Sequence, residues 1–241
     1  MKLSSLRMST FIKNTFLLKT LTKYWFLEGF NLFKKLGMST MMEISKLLEM
    51  KTIDKGKIIE RGEYDNKCIF FLKKGAVKII NSTNDSVKYI VKQGNIFGEL
   101  AIYDKKASLE EVAIALEDSV ICYIDSELME ELMEKHKSLK NGILKIYGLR
   151  IRKLETRLQN LIHKDSSTRI SEFILAYIDE FGEKKVDKIE AKNLLSHKDI
   201  ANLTNTSRQT VSNVLSNMRK KGLIFYDTNY ISFSKPPVKD T

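Results

Sequence analysis

The stretch LSHKDIANLTNTSRQTVSNVLSNMRKKG, Leu195–Gly222, decides how the C-terminal part of the chain folds. Its spacing predicts two short helices with a tight connection, over about 197–203 and 207–221. Ile200, Ala201 and Leu203 are apolar on the first helix, and Val211, Val214, Leu215 and Met218 on the second. Apolar residues at such intervals share one face, which is then buried. Ala201 is small where two helices must cross closely. Ser207 is placed to cap the second helix by accepting from a backbone N–H of its first turn.

The opposite face of the second helix carries the chemistry. Arg208, Gln209, Ser212, Asn213 and Ser216 follow i, i+1, i+4, i+5 and i+8, and none is acidic. A helix in the DNA major groove uses such residues, because Arg forks onto guanine and Gln or Asn onto adenine. We therefore take Arg208, Gln209, Ser212 and Asn213 as candidate base contacts. Lys198, Ser207, Thr210, Arg219 and Lys220 are candidate phosphate contacts. The plain alternative is an ordinary solvated face, since helix-turn-helix patterns arise by chance.

Charge placement favours the first reading. The net charge is +11 over 241 residues. Residues 1–27 hold five basic residues and no acid, and residues 140–163 hold six basic and one acidic. Residues 28–139, with 17 basic and 19 acidic, are close to neutral. A segregated excess of this kind suits a polyanion partner better than a generic basic surface does.

The two cysteines, Cys68 and Cys122, sit in apolar, strand-like contexts and read as small buried hydrophobes in a reducing cytoplasm. Two thiols fall short of the four ligands of an ordinary iron–sulfur cluster. The three histidines are dispersed, with no metal spacing. No apolar run approaches the roughly 20 residues of a membrane span. Residues 1–28 read as a basic arm without fixed structure, with a membrane-surface helix as the alternative.

Upstream, residues 29–50 have a helical pattern, broken by a turn at Gly37-Met38-Ser39. The period then shortens to strands at 57–61, 68–72, 76–80, 88–91, 111–115 and 120–124, punctuated by glycines. Short strands at such intervals predict a sandwich or barrel. The connection Gly94–Ala101 is glycine-flanked and apolar with one acid, Glu99. Gly98, Glu99 and Leu100 form a candidate ligand site: glycines let backbone amides approach a ligand, and a carboxylate accepts from a ribose hydroxyl. A jelly-roll corner is the plainer reading of the same residues.

From Asp125 to about Lys164 the chain is helical, with Asp125 or Ser126 as cap. Leu144, Tyr147, Ile151, Leu154, Leu158 and Leu161 step in threes and fours, a seam over nearly three heptads. Such a seam predicts a symmetric dimer, with packing on the chain's own β-structure as the alternative. A further amphipathic helix spans 168–181, and two apolar strands flank Asp227-Thr228-Asn229 in 223–233. Helix, helix-turn-helix and hairpin together make a winged helix.

This order of parts resembles the Crp/Fnr transcription regulators over about residues 29–234. The motifs that carry it are Asp199-Ile200-Ala201, Ser207-Arg208-Gln209-Thr210-Val211-Ser212 and Gly98-Glu99-Leu100-Ala101. The resemblance implies an α+β architecture. A cyclic-nucleotide-binding-like β-roll at 29–125 follows the 1–28 arm. Connecting and dimerisation helices occupy 126–164, a winged helix-turn-helix 165–235, and a tail 236–241. It also implies a cytoplasmic homodimer on a near-palindromic double-stranded DNA site, with RNA polymerase as a further partner. Cyclic-AMP-binding members have an Arg-Ser/Thr-Ala segment where this chain has Leu109, Glu110 and Glu111. A cyclic phosphate there meets carboxylates in place of a guanidinium, so cyclic AMP is disfavoured as ligand; Lys105 and Lys106 are the nearest substitutes. The iron–sulfur branch is excluded by the cysteine count, and no axial haem ligand stands out. Members often have Glu at the position of Gln209 and Arg at that of Asn213, so these two residues shift the reading toward adenine, while Arg208 keeps a guanine contact.

Two other function classes fit the sequence less well. A sensor that signals only through a protein partner does not need an acid-free recognition face. An enzyme needs a catalytic set, phosphate loop or metal site, and the sequence offers none.

Overall fold

The computed structural model describes residues 22–59, 68–102 and 111–234. The chain divides into two compact units, one of Met1–Ser82 with Ile90–Leu149 and one of Thr83–Tyr89 with Arg150–Thr241.

In the first unit, helix α1 (22–28) leads into consecutive turns over 30–36 and helix α2 (Met38–Leu47). The strands are β1 (Glu49–Ile53), β2 (Cys68–Lys74), β3 (Ala76–Asn81), β4 (Val87–Lys92), β5 (Ile96–Phe97), β6 (Glu111–Ala115) and β7 (Ser119–Asp125). They form two antiparallel sheets, ordered β1-β7-β2-β5 and β4-β3-β6. Strand β2 explains the arrangement. Its first five residues are all buried, so both its faces are covered. Successive side chains point to opposite faces. Ile69 and Phe71 join the helical cluster, where Phe71 meets Phe30 and Phe33 edge-on or tilted. Phe70 turns the other way and stacks on Phe97, its cross-strand partner, at 4.8 Å. Aromatic pairs at this spacing add roughly 0.5–1.5 kcal/mol beyond area burial. Helix α3 (Ser126–Lys135) follows β7, capped by Asp125, whose side chain accepts from the N–H groups of Glu127 and Leu128. Helix α4 (Lys137–His163) begins after a break at His136.

Three expectations change here. The arm expected over 1–28 ends sooner, because 22–28 are helical and Phe26 and Leu27 are buried in the core. The helical pattern read over 29–50 resolves into turns closed by i→i−3 bonds, such as Phe33 N–H to the Phe30 carbonyl, then α2. Its last residues belong to β1, which pairs with β7. The strand expected at 57–61 is reduced, among the described residues, to a bridge between Ile58 and Ile114. Residues 60–67, 103–110 and 235–241 lie outside the described residues, as do 1–21.

In the second unit, helix α5 (Ser166–Phe181) precedes β8 (Glu183–Lys184), β9 (Lys188–Lys192), α6 (His197–Thr204), α7 (Arg208–Lys220), β10 (Phe225–Tyr226) and β11 (Tyr230–Ser234). The four strands form one antiparallel sheet ordered β10-β11-β9-β8. The β8–β9 hairpin was not read from the sequence. Val211, Val214, Leu215 and Met218 of α7 are buried, as their spacing predicted. Full burial of such side chains contributes about 1.5–3 kcal/mol each. Ile200 and Ala201 are buried on α6, but Leu203 is only half-buried and Thr204 takes the inward position.

Candidate nucleic-acid interface

Helix α6 starts at a reciprocal cap. The Ser196 hydroxyl accepts from Asp199 N–H at 3.1 Å, and the Asp199 carboxylate accepts from Ser196 N–H at 3.0 Å. The signal is present in the sequence as Ser-x-x-Asp at 196–199. The helix ends at Asn205, which adopts φ 51°, a left-handed conformation that Asn tolerates better than most residues. The chain then reverses, with Thr206 N–H bonded to the Ala201 carbonyl at 2.9 Å.

Two arginines hold that turn. Arg169 of α5 donates to the carbonyls of Thr204, Asn205 and Lys164 at 3.1, 3.1 and 2.6 Å. Arg157 of α4 donates to the Asn202 carbonyl at 3.1 Å, and burial draws its pKa below the usual arginine value. Cations at a helix C-terminus satisfy its last carbonyls and suit the helix dipole. Neither role was legible beforehand, because both partners lie more than thirty residues away in sequence.

Ser207 caps α7 as expected, accepting from Thr210 N–H at 3.0 Å. The hydroxyls of Ser207 and Thr210 lie 2.8 Å apart at the start of a helix with no acid in its first turn. Free N–H groups and the dipole make such an N-terminus favourable for phosphate. Arg208, Gln209 and Asn213 are exposed, whereas Ser212 and Ser216 are half-buried between that face and the core. Gln209 Nε2 donates to Asn213 Oδ1 at 3.1 Å. Lys198, Arg219 and Lys220 are exposed, and the Arg219 guanidinium lies over the Tyr226 ring at 5.2 Å. Gly222, at φ 67°, ends the helix, and Leu223 N–H bonds back to the Met218 carbonyl. The hairpin tip forms at Asp227, whose carboxylate accepts from the N–H groups of Asn229 and Tyr230. Asn193 anchors the tip by donating from Nδ2 to the Asp227 carbonyl at 2.8 Å.

In the first unit the candidate ligand residues sit at a tight corner. Gly98 has φ 78°, and a Cβ there would lie 2.5 Å from the Cys68 carbonyl. Glu99 is fully buried and Leu100 half-buried. Glu111 is buried in β6 opposite Asn81, while Leu109, Glu110, Lys105 and Lys106 lie outside the described residues. Tyr147 donates from its hydroxyl to the Glu99 carbonyl at 2.6 Å and packs on the core. This corrects the seam: Tyr147 turns inward, toward the β-roll corner. Leu144, Ile151, Leu154 and Leu158 are each more than half exposed, and Leu161 is half-buried. Leu149 and Ile162, not counted in the seam, are exposed as well.

Cys68 and Cys122 are buried and form no disulfide, in line with their reading as small hydrophobes. Desolvation pushes the Cys122 thiol up to about 12, despite Lys23 and Lys73 nearby. Among the described residues no group of three His, Cys, Asp or Glu side chains is arranged to hold a metal, and no helix is long and apolar enough to cross a membrane.

A capped helix pair with an outward, acid-free second helix and an adjoining hairpin defines a winged-helix DNA-binding protein, here on one chain with a β-roll. Comparison with known proteins agrees. The cyclic nucleotide-binding domain family matches residues 51–136, and the Crp-like helix-turn-helix domain family matches residues 168–236. The global nitrogen regulator of Synechocystis sp. is 25% identical, over 85% of this chain and 90% of that protein. A mutant CooA from Carboxydothermus hydrogenoformans shares the fold at TM-score 0.62 and 22% identity, over 78% of this chain and 84% of that one. The c-di-GMP-responsive global regulator CLP of Xanthomonas campestris does so at TM-score 0.67 and 15% identity, over 83% of this chain and 100% of that one. The chain belongs to the Crp/Fnr-type transcription regulators.

Proposed function

We propose that this regulator acts as a cytoplasmic homodimer that reads a near-palindromic operator, with its β-roll as a sensor. The observation that carries the reading is the outward face of α7, where Arg208, Gln209 and Asn213 stand exposed with no acid among them. Arg208 forks onto guanine, and Gln209, Ser212 and Asn213 contact further bases. Lys198, Ser207, Thr210, Arg219 and Lys220 position the helix on phosphates. Two such helices enter successive major grooves about 34 Å apart. Leu144, Ile151, Leu154, Leu158 and Leu161 of α4 supply the dimer contact, because apolar side chains at seven-residue spacing have little reason to remain in water.

The sensor unit, 29–125, carries its ligand corner at Gly98–Leu100. Glu111 buried in β6 supports a ligand other than cyclic AMP held in the usual way. With two cysteines in the chain, an iron–sulfur cluster is not part of the reading. We assign no catalytic residue. RNA polymerase is the partner through which the operator-bound dimer acts on transcription. The β-roll and winged helix lie at 29–125 and 165–235, joined through 126–164.

The test is selection of operator DNA by the full chain from a random pool, with and without cyclic nucleotides, followed by binding of Arg208→Ala to the selected sequence. A symmetric site with half-sites one helical turn apart, and loss of discrimination in the variant, is expected. A variant that discriminates as well as the wild type sinks the reading.

A further inference from the structure

The hydrogen bond between Gln209 and Asn213 bears on which bases the recognition helix reads. This inference rests on α7 being the reading helix and deepens that reading. Gln209 Nε2 donates to Asn213 Oδ1 at 3.1 Å, one helical turn apart on the exposed face. Amide pairs at i and i+4 stabilise one another in this way.

The bond divides the donors and acceptors unequally. A primary amide has one oxygen and two N–H groups. Gln209 gives Asn213 one N–H and keeps its oxygen and the other N–H. An adenine fork needs one oxygen and one N–H, accepting from N6 and donating to N7. Gln209 can therefore hold Asn213 and adenine together. Asn213 gives one of the two lone pairs of its oxygen to Gln209, and what it offers outward unencumbered is Nδ2 with two N–H groups. Donors suit an edge of acceptors alone, which in the major groove means thymine O4 or guanine O6 and N7; adenine offers N7 but sets its N6 donor beside it, and that donor needs an acceptor.

We propose that Gln209 and Asn213 read DNA as one hydrogen-bonded amide unit, in which Gln209 forks adenine and Asn213 donates to a thymine or guanine. This revises the expectation that both amides turn toward adenine. The four-residue step from one to the other spans about 6 Å of helix axis. Against a base spacing of about 3.4 Å, the two bases lie within about two steps of one another. Their identities are then coupled, and Gln209 helps determine specificity at a base it does not touch.

The experiment compares the full-length wild type with Gln209→Met, Asn213→Ala and the double variant on a library of half-site sequences. Arg208→Ala serves as control. Gln209→Met keeps the length of the side chain but removes its amide. The wild type should prefer adenine at one position, by about 5- to 150-fold, and thymine or guanine nearby. In Gln209→Met the adenine preference should vanish. The neighbouring position should then admit adenine more readily, because both lone pairs of the Asn213 oxygen are free to accept from N6. The double variant should lose less than the product of the single losses. Adenine preferred by the wild type at the Asn213 position, or single effects that multiply in the double variant, would overturn the amide unit while leaving Arg208→Ala defective. If Arg208→Ala and the amide variants all select the wild-type sequence, α7 is not the reader, and the inference falls together with its basis.

Discussion

Replacing Arg169 with methionine should loosen the turn that presents the recognition helix. The wild-type guanidinium makes three hydrogen bonds to carbonyls, at 2.6–3.1 Å, with Lys164, Thr204 and Asn205. Bonds from a charged donor are worth about 1.5–3 kcal/mol when fully counted. Asn205 is exposed and Lys164 half-buried, so their carbonyls recover water when the arginine is lost. Thr204 is buried, so its bond is the one to count in full. The net loss should be about 2–3 kcal/mol, with part of the side chain's packing retained by methionine. For a unit of roughly this size, 1 kcal/mol moves the melting temperature by about 4–8 °C, so the C-terminal transition should fall by at least about 8 °C. The assay is urea and thermal unfolding of the full chain followed by circular dichroism, with operator binding measured alongside. Arg169→Lys, one charge without the fork, should recover part of the loss. A methionine variant within about 0.5 kcal/mol of wild type would refute the assigned role.

Four shorter expectations follow from other parts of the molecule. In sedimentation velocity the wild type should run as a dimer and Leu154→Asp as a monomer; a variant that stays dimeric removes Leu154 from the interface. Lys220→Ala should weaken specific and non-specific DNA alike and lower the slope of log affinity against log salt by about 1; an unchanged slope means Lys220 does not meet phosphate. Gly98→Ala should destabilise the first unit by more than about 1 kcal/mol, since its φ of 78° disfavours a side chain and the Cβ meets the Cys68 carbonyl; an unshifted denaturant midpoint would count against that geometry. The Cys122 thiol, held protonated up to about 12, should not react with Ellman's reagent at pH 8 until the protein unfolds. Its raised pKa favours the folded state fully below the unfolded value and loses that effect as pH rises through about 12; rapid labelling of the native protein would contradict its burial.

The recognition unit was legible from the sequence because its signals are local. The buried face of α7, the Ser207 cap and the exposed Arg208, Gln209 and Asn213 all follow from neighbours within one or two helical turns. The strand pattern of β2, β3, β6 and β7 was legible for the same reason, since Gly75 separates the first two apolar runs and Glu117-Asp118 the last two. The short strands were not. Glu49 and Met50, the start of β1, read as the end of a helix until β7, some seventy residues later, pairs with them. Ile96–Phe97 is two residues long, and its strand identity comes from β2. Periodicity placed Tyr147 on the same seam as Leu144 and Ile151, but a carbonyl at Glu99 draws it inward. No local pattern sets Arg169 and Arg157 apart from other basic residues, and only the folded chain brings them to the carbonyls that end α6. The sequence by itself determined which helix faces outward and what chemistry it carries, because helical periodicity acts over a few residues. Tertiary structure decided how that helix is held. Hydrogen bonds between distant residues, and the side-chain directions that make them, exist only once the backbone is in place.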